Sequence, residues 1–314
     1  MKTLILGLSS VLLTTSLSAA EVDQFTSKNQ KMLDASEIVN LRANEVVKAT
    51  LKDLHGCNEA ELYQALRKQF GNHIKGKFTK FVIDDSSVPR LHIPIDESIY
   101  KDWTSFTGFI LGNPLYRKSG IALSDLVQIG EVKIGTDKFE HLFGRGFKYF
   151  SDHYLKNKTI EKTLKYGVTQ EKFILGGLFI ETGVFSYADL SANFNGMRFW
   201  NHFLLKEDDI LGANFNLGPY VVCENNQWKQ NALIDFRNYF DLSMDESVNC
   251  SKFSVKKSVE IVNLELKKLN LSCGADQTTF SDFDQKYGAF AKYIINKSGN
   301  GKVKYKSEYG VYGE

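Results

Sequence analysis

Asp137-Lys138-Phe139-Glu140-His141 and Glu181-Thr182-Gly183-Val184-Phe185-Ser186-Tyr187-Ala188-Asp189-Leu190-Ser191-Ala192-Asn193-Phe194-Asn195-Gly196 bound the stretch whose reading decides the fold. Phe139, Leu142, Phe143, Phe147 and Phe150 recur at helical spacing, which predicts a helix over residues 137–156. A second helix is expected over residues 169–182, ending at Gly183, a residue suited to the C′ position. A third is expected to start at Ser186 and run to about residue 205. Polar and ionisable side chains are set into these apolar helices. Burying them singly would be costly, so they must satisfy one another or face a cleft.

Outward from this stretch, residues 35–54 and 58–70 carry helical apolar stripes, with Asn58 placed as an N-cap for the second. Residues 78–84 and 91–95 alternate more like short strands, and residues 85–90 read as a turn. Residues 103–115 are aromatic and apolar, either groove or core, and 117–135 look irregular. Residues 206–252 are loop-rich but carry Tyr220, Trp228, Phe236, Tyr239 and Phe240. Residues 254–269 are amphipathic. The expected fold is mainly α: a helical-bundle core with a few short strands and a disulfide-stapled loop region. The expected division is a signal peptide at 1–20, an N-terminal helical region at 21–130, a helical core with the polar site and aromatic loop at 131–297, and a mobile tail at 298–314.

The first twenty residues have the form of a secretory signal, with Lys2, an apolar run from Leu4 to Leu13, and small Ser18 and Ala20 before a cleavage site. That run is too short to span a bilayer, and no later stretch reaches about 18 apolar residues, so no integral membrane span is expected after cleavage. Cys57, Cys223, Cys250 and Cys273 make an even count, which in an oxidising compartment favours disulfides. The expected pairing is Cys223–Cys250 with Cys57–Cys273, and no C-x-x-C spacing suggests zinc or redox chemistry. The expected location is periplasmic or secreted. A net charge of +2 without a basic, aromatic-interleaved face gives no reason to expect a nucleic-acid partner.

Asp137 and His141 are four apart and share a helix face, so the carboxylate could hold the imidazole. Asp137 with Glu140 also reads as a capping box. Glu181 closes an apolar helix, where the dipole and the apolar setting would raise its pKa as a general acid requires. Ser186-x-x-Asp189 is a capping pattern. Asp189, Asn193, Gly196 and Trp200 nevertheless form a 4-3-4 stripe that puts a carboxylate, an amide and a bare glycine on one face, where a core stripe would be apolar.

The order Asp137-Lys138-x-x-His141, then Glu181, then Ser186-x-x-Asp189-x-x-x-Asn193-x-x-Gly196 resembles the VanZ-like proteins. It is also similar to small bacterial envelope lipoproteins that share this signature. The resemblance spans residues 137–196, about a fifth of the chain. It implies a cell-envelope setting and a shared site, without fixing a reaction. VanZ-like proteins are multi-pass membrane proteins, a departure from the exported chain expected here. A weaker similarity, Glu181-Thr182-Gly183-Val184-Phe185-Ser186, points to lysozyme-like glycosidases, which place a catalytic Glu at a helix end before a turn.

Together these readings point to an exported envelope hydrolase acting on peptidoglycan or another envelope glycan, with no cofactor and no metal. Glu181 is the expected general acid and Asp189 its base or electrostatic partner. His141, oriented by Asp137, assists. Asn193, Ser186, Lys138 and Trp200 are expected to bind substrate, with exposed Trp103, Tyr187 and Trp200 stacking on sugars. One alternative is a metal-dependent hydrolase with His141, Glu181 and Asp189 as ligands. Another is a non-enzymatic envelope binding or scaffolding protein whose polar cluster locks three helices together.

Overall fold

A computed structural model of the chain describes residues 21–71, 76–120, 122–176 and 182–304. The fold is mainly α, as the periodicity predicts. Its axis is the helix Tyr187–Asn201, every residue of which is buried. Ser186 caps this helix by accepting the Asp189 N–H on its hydroxyl at 3.1 Å. Against it pack the helix over residues 137–155 and the helix over 160–175, Glu59–Phe70 reaches it through Tyr63 and Phe70, and Ser36–Lys52 and Lys77–Asp84 pack in turn on Glu59–Phe70. Phe70, Phe78, Phe143, Phe199 and Phe236 form one aromatic core, with Phe70 and Phe143 centroids 5.1 Å apart. Asn58 caps Glu59–Phe70, and Thr159 caps the helix that begins at Ile160.

Two helices depart from the regular α geometry. The 137–155 helix loosens into π turns at His141–Arg145 and Ser151–Leu155, and the 160–175 helix does so at Glu171–Leu175. Each π turn inserts an extra residue and re-aims the side chains that follow.

Short strands close the edges. Arg90–Leu91, Leu126–Ile129 and Val132–Gly135 form an antiparallel sheet. Val221–Glu224 and Gln227–Gln230 form a hairpin across Asn225 and Asn226, both at positive φ, as a tight two-residue hairpin turn demands. Val184–Phe185 pairs antiparallel with Lys252–Phe253, which pairs in parallel with Gly301–Lys302.

Several expectations are corrected. Residues 77–84 are a helix, because Phe78 and Val82 bury one side at a spacing of four. Residues 126–135 are a hairpin instead of irregular chain. The second polar helix starts ten residues earlier than expected, at its Thr159 cap. Within the expected tail, Val303 is buried and donates its N–H to the Phe253 carbonyl at 2.8 Å. The disulfides are Cys57–Cys223 and Cys250–Cys273. The aromatic hairpin docks on the first helix, where Gln230 donates to Asn44 at 2.6 Å, and so carries Cys223 to Cys57. The expected signal peptide and the end of the tail lie outside the described residues. Among the described residues no helix is long and apolar enough to cross a membrane.

Candidate functional site

The polar residues of the opening stretch meet between the 137–155 helix and the axial helix. The Lys138 ammonium, fully buried, donates to Asp137 Oδ2 at 2.6 Å and to Glu246 Oε1 at 3.0 Å. It makes a third ion pair with Asp189 Oδ1 at 2.7 Å. The other Asp189 oxygen lies 3.1 Å from His141 Nε2, and His141 Nδ1 lies 3.1 Å from Asn193 Oδ1. Asp189, Asn193, Gly196 and Trp200 therefore do share a face, and that face meets the partner helix. Gly196 lets the Gly146 backbone come close, and the Trp200 indole N–H donates to the Phe143 carbonyl at 3.0 Å.

A second tier closes the cluster. Ser186 donates its hydroxyl to Glu246 Oε1 at 2.8 Å and its backbone N–H to Glu171 Oε1 at 3.2 Å. Ser251 donates to Glu246 Oε2 at 3.1 Å, and Glu246 N–H donates to Gln24. Among the described residues, Glu171 Oε2 and Asp137 Oδ1 are buried without a hydrogen-bond partner. Buried polar atoms are normally paired, so these two stand out. Glu21 is buried at the margin, close enough to feel the charges of Glu246, Asp189 and Lys138.

This packing drives the proton affinities apart. Burial opposes ionisation of Asp189, but His141 and Lys138 outweigh it and hold the carboxyl well below the usual range. Burial likewise opposes a charge on His141, but the Asp189 carboxylate and its hydrogen bond push the imidazole up to about 9. Glu171 goes the other way: burial first and Asp189 second push it up to about 8. Burial also raises Asp137 and Glu246, and raises Glu21 strongly. At neutral pH Asp189 is ionised, His141 is an imidazolium and Glu171 keeps its proton.

The structure brings Asp137, Lys138, His141, Ser186, Asp189 and Asn193 together, but in three places the contacts differ from those expected. Asp137 does not cap its helix, which has no side-chain cap, and it does not hold His141, which Asp189 and Asn193 hold instead. Lys138 is a buried counter-ion to three carboxylates rather than a free substrate-binding cation. Trp103, Tyr187 and Trp200 are buried, so they are core rather than sugar platforms. Glu181 lies outside the described residues. Glu171, Glu246 and Glu21 join the cluster from outside the segments 137–141 and 181–196, whose helical spacing marks it. Glu171 lies in the polar stretch Thr169-Gln170-Glu171-Lys172, which carries no mark of burial, and Glu246 sits in a loop without periodicity.

Asp137, His141 and Asp189 each offer a ligand atom, all within 4.8 Å of one another. The Lys138 ammonium already bridges the two aspartates, so a cation there would have to displace it. No protein-family model, curated protein or solved structure matches the chain.

Proposed function

We propose that the chain is an exported cell-envelope hydrolase, directed at peptidoglycan or a similar glycan, in which Glu171 and Asp189 are the acid and the ionised partner. The observation that supports this most is the divergence of two neighbouring carboxyls, one raised to about 8 and the other held ionised. Glycoside hydrolysis needs one proton-donating carboxylic acid and one carboxylate that stabilises or attacks the oxocarbenium-like centre. Two π turns begin at His141 and Glu171, and π turns inside α-helices gather at functional sites. His141, held as an imidazolium by Asp189 and Asn193, fixes the Asp189 carboxylate. Two disulfides and the signal-like first twenty residues support export.

The test is glycan release from purified peptidoglycan by the exported protein and by Glu171→Gln, Asp189→Asn and Glu181→Gln. Loss of activity by about a hundredfold or more in Glu171→Gln, with a melting temperature no lower than that of the wild type, is expected. Full activity in Glu171→Gln with loss in Glu181→Gln would move the acid to Glu181. No glycan release by the wild type would end the hydrolase reading.

The complete burial of Lys138 among three carboxylates favours a second reading, a non-enzymatic envelope scaffold whose cluster locks the helices together. Buried ionic networks can serve a unique packing without chemistry. Under that reading Glu171→Gln changes stability alone.

A further inference from the structure

The far end of the 137–155 helix carries charge that the acid–base cluster does not use. Three ammonium groups converge on the carboxylate of Asp152, which is 3% exposed. Lys148 and Lys158 reach its Oδ2, Lys158 at 3.1 Å, and Lys156 reaches Oδ1 at 3.4 Å. Lys158 N–H also donates to the Asp152 carbonyl at 2.9 Å, and Asn157 turns the chain at a φ of 54°, so the loop folds back on the helix end. One carboxylate cannot neutralise three ammoniums. A surplus of two positive charges stays fixed on the surface, with the lysines already arrayed. Arraying them in advance lowers the entropy lost when an anionic partner binds.

This surplus is a property of the region. Residues 148–166 contain Lys148, Lys156, Lys158, Lys162 and Lys165 against Asp152 and Glu161, that is 5 − 2 = +3. The whole chain is +2, so everything else sums to −1. Two large apolar side chains stand out among the lysines: Leu155 is 52% exposed and Tyr166 is 40% exposed, with the Lys148 ammonium 4.7 Å from the Tyr166 ring centre. Lysines, an exposed leucine and an amphipathic tyrosine together suit the boundary between anionic headgroups and acyl chains. A soluble phosphate would use the lysines and leave Leu155 idle.

We infer that the Lys148–Lys156–Lys158 cluster on Asp152, with Leu155 and Tyr166, is a peripheral docking surface for a bilayer rich in anionic phospholipid. The surface needs no membrane-spanning helix and is independent of the acid–base cluster.

Co-sedimentation of the mature protein with vesicles of one-third phosphatidylglycerol in phosphatidylcholine tests this. At low salt the wild type should partition onto these vesicles and not onto pure phosphatidylcholine, and raised salt should release it. Lys156→Glu with Lys158→Glu should lower partition by about tenfold or more. If that pair fails to fold by circular dichroism, Lys162→Glu, outside the Asp152 cluster, should still lower partition. Leu155→Ser should lower partition while leaving binding to heparin unchanged. Equal binding to neutral vesicles, wild-type partition in the lysine variants, or binding to heparin or duplex DNA without binding to vesicles would overturn the inference.

Discussion

Gly146 and Gly196 touch backbone to backbone: a Cβ on Gly196 would stand 2.0 Å from the Leu142 carbonyl oxygen, and one on Gly146 would stand 2.5 Å from the Gly196 Cα. No real side chain tolerates such contacts, so the two helices can lie this close only because both positions are bare. This closeness also brings Asn193 and Asp189, one and two turns earlier on the axial helix, against His141. Gly196→Ala is therefore expected to destabilise the protein by about 1–3 kcal/mol or more, as overpacking does. Urea denaturation followed by tryptophan fluorescence reads this directly, and a variant as stable as wild type would show that the helices can separate freely.

Lys138 is the only cation that touches Asp137, Asp189 and Glu246 together among the described residues. Removing it leaves buried carboxylates uncompensated. Lys138→Met should cost about 3–5 kcal/mol, the scale for breaking a buried ion pair by deleting one partner. Adding Asp137→Asn removes one orphaned charge and should recover part of the loss. A double variant no more stable than Lys138→Met would mean that Asp137 carries its proton already and needs no counter-ion.

The part of the site that was legible in the sequence was the part written on helices. Asp189, Asn193, Gly196 and Trp200 follow the helical repeat, so their common face could be read directly, and Ser186 announced its cap. Asp137 and His141 also share a face, yet they do not bond each other. A common face sets proximity within one helix, whereas the partner across the interface wins the hydrogen bond, here Asp189. The second tier was not legible for a related reason. Glu246 arrives from a loop, and its place depends on Gln24 and Ser186, which are distant in sequence, as well as on nearby Ser251. Eight residues hold too few turns to separate a period of two from one of 3.6, so the sequence of the 77–84 helix also fits a short strand. The disulfide pairing depended on where the 221–230 hairpin docks, a tertiary fact that spacing alone does not carry.

The shifted groups set a pH profile. The folded His141 titrates at about 9 against about 6.5 unfolded, and Glu171 at about 8 against about 4.3. Between those values the folded chain holds protons that the unfolded chain has released, so stability falls as pH rises. The Glu171 contribution is full below its unfolded pKa and is lost up to about 8; that of His141 is full below about 6.5 and is lost up to about 9. Asp189, held low, contributes above its unfolded value of about 3.9 and loses that contribution as pH falls below it. Raised Asp137, Glu246 and Glu21 add to the fall in stability as pH rises above their unfolded values. Stability should peak in mildly acidic solution and decline toward pH 9. His141→Ala with Glu171→Gln should flatten that decline without abolishing it. An alkaline limb identical to wild type would place both protons elsewhere.

The contact between His141 and Asp189 is the link on which the site depends, and its energy can be isolated. Asp189→Asn removes the charge that raises His141 while keeping the shape, and it leaves Lys138 with Asp137 and Glu246. His141→Ala removes the imidazole and orphans Asn193 Oδ1. Because His141 Nε2 and Asp189 Oδ2 lie 3.1 Å apart within a buried network, the two changes should not add. A double-mutant cycle on unfolding free energies should return a coupling of about 0.5–3 kcal/mol, against agreement within about 0.5 kcal/mol for independent sites. In parallel, the nuclear magnetic resonance titration of His141 should move from about 9 in the wild type toward lower pH in Asp189→Asn, since burial then acts without its main opponent. Additive stabilities together with an unmoved His141 titration would dissolve the pair and, with it, the acid–base reading of the cluster.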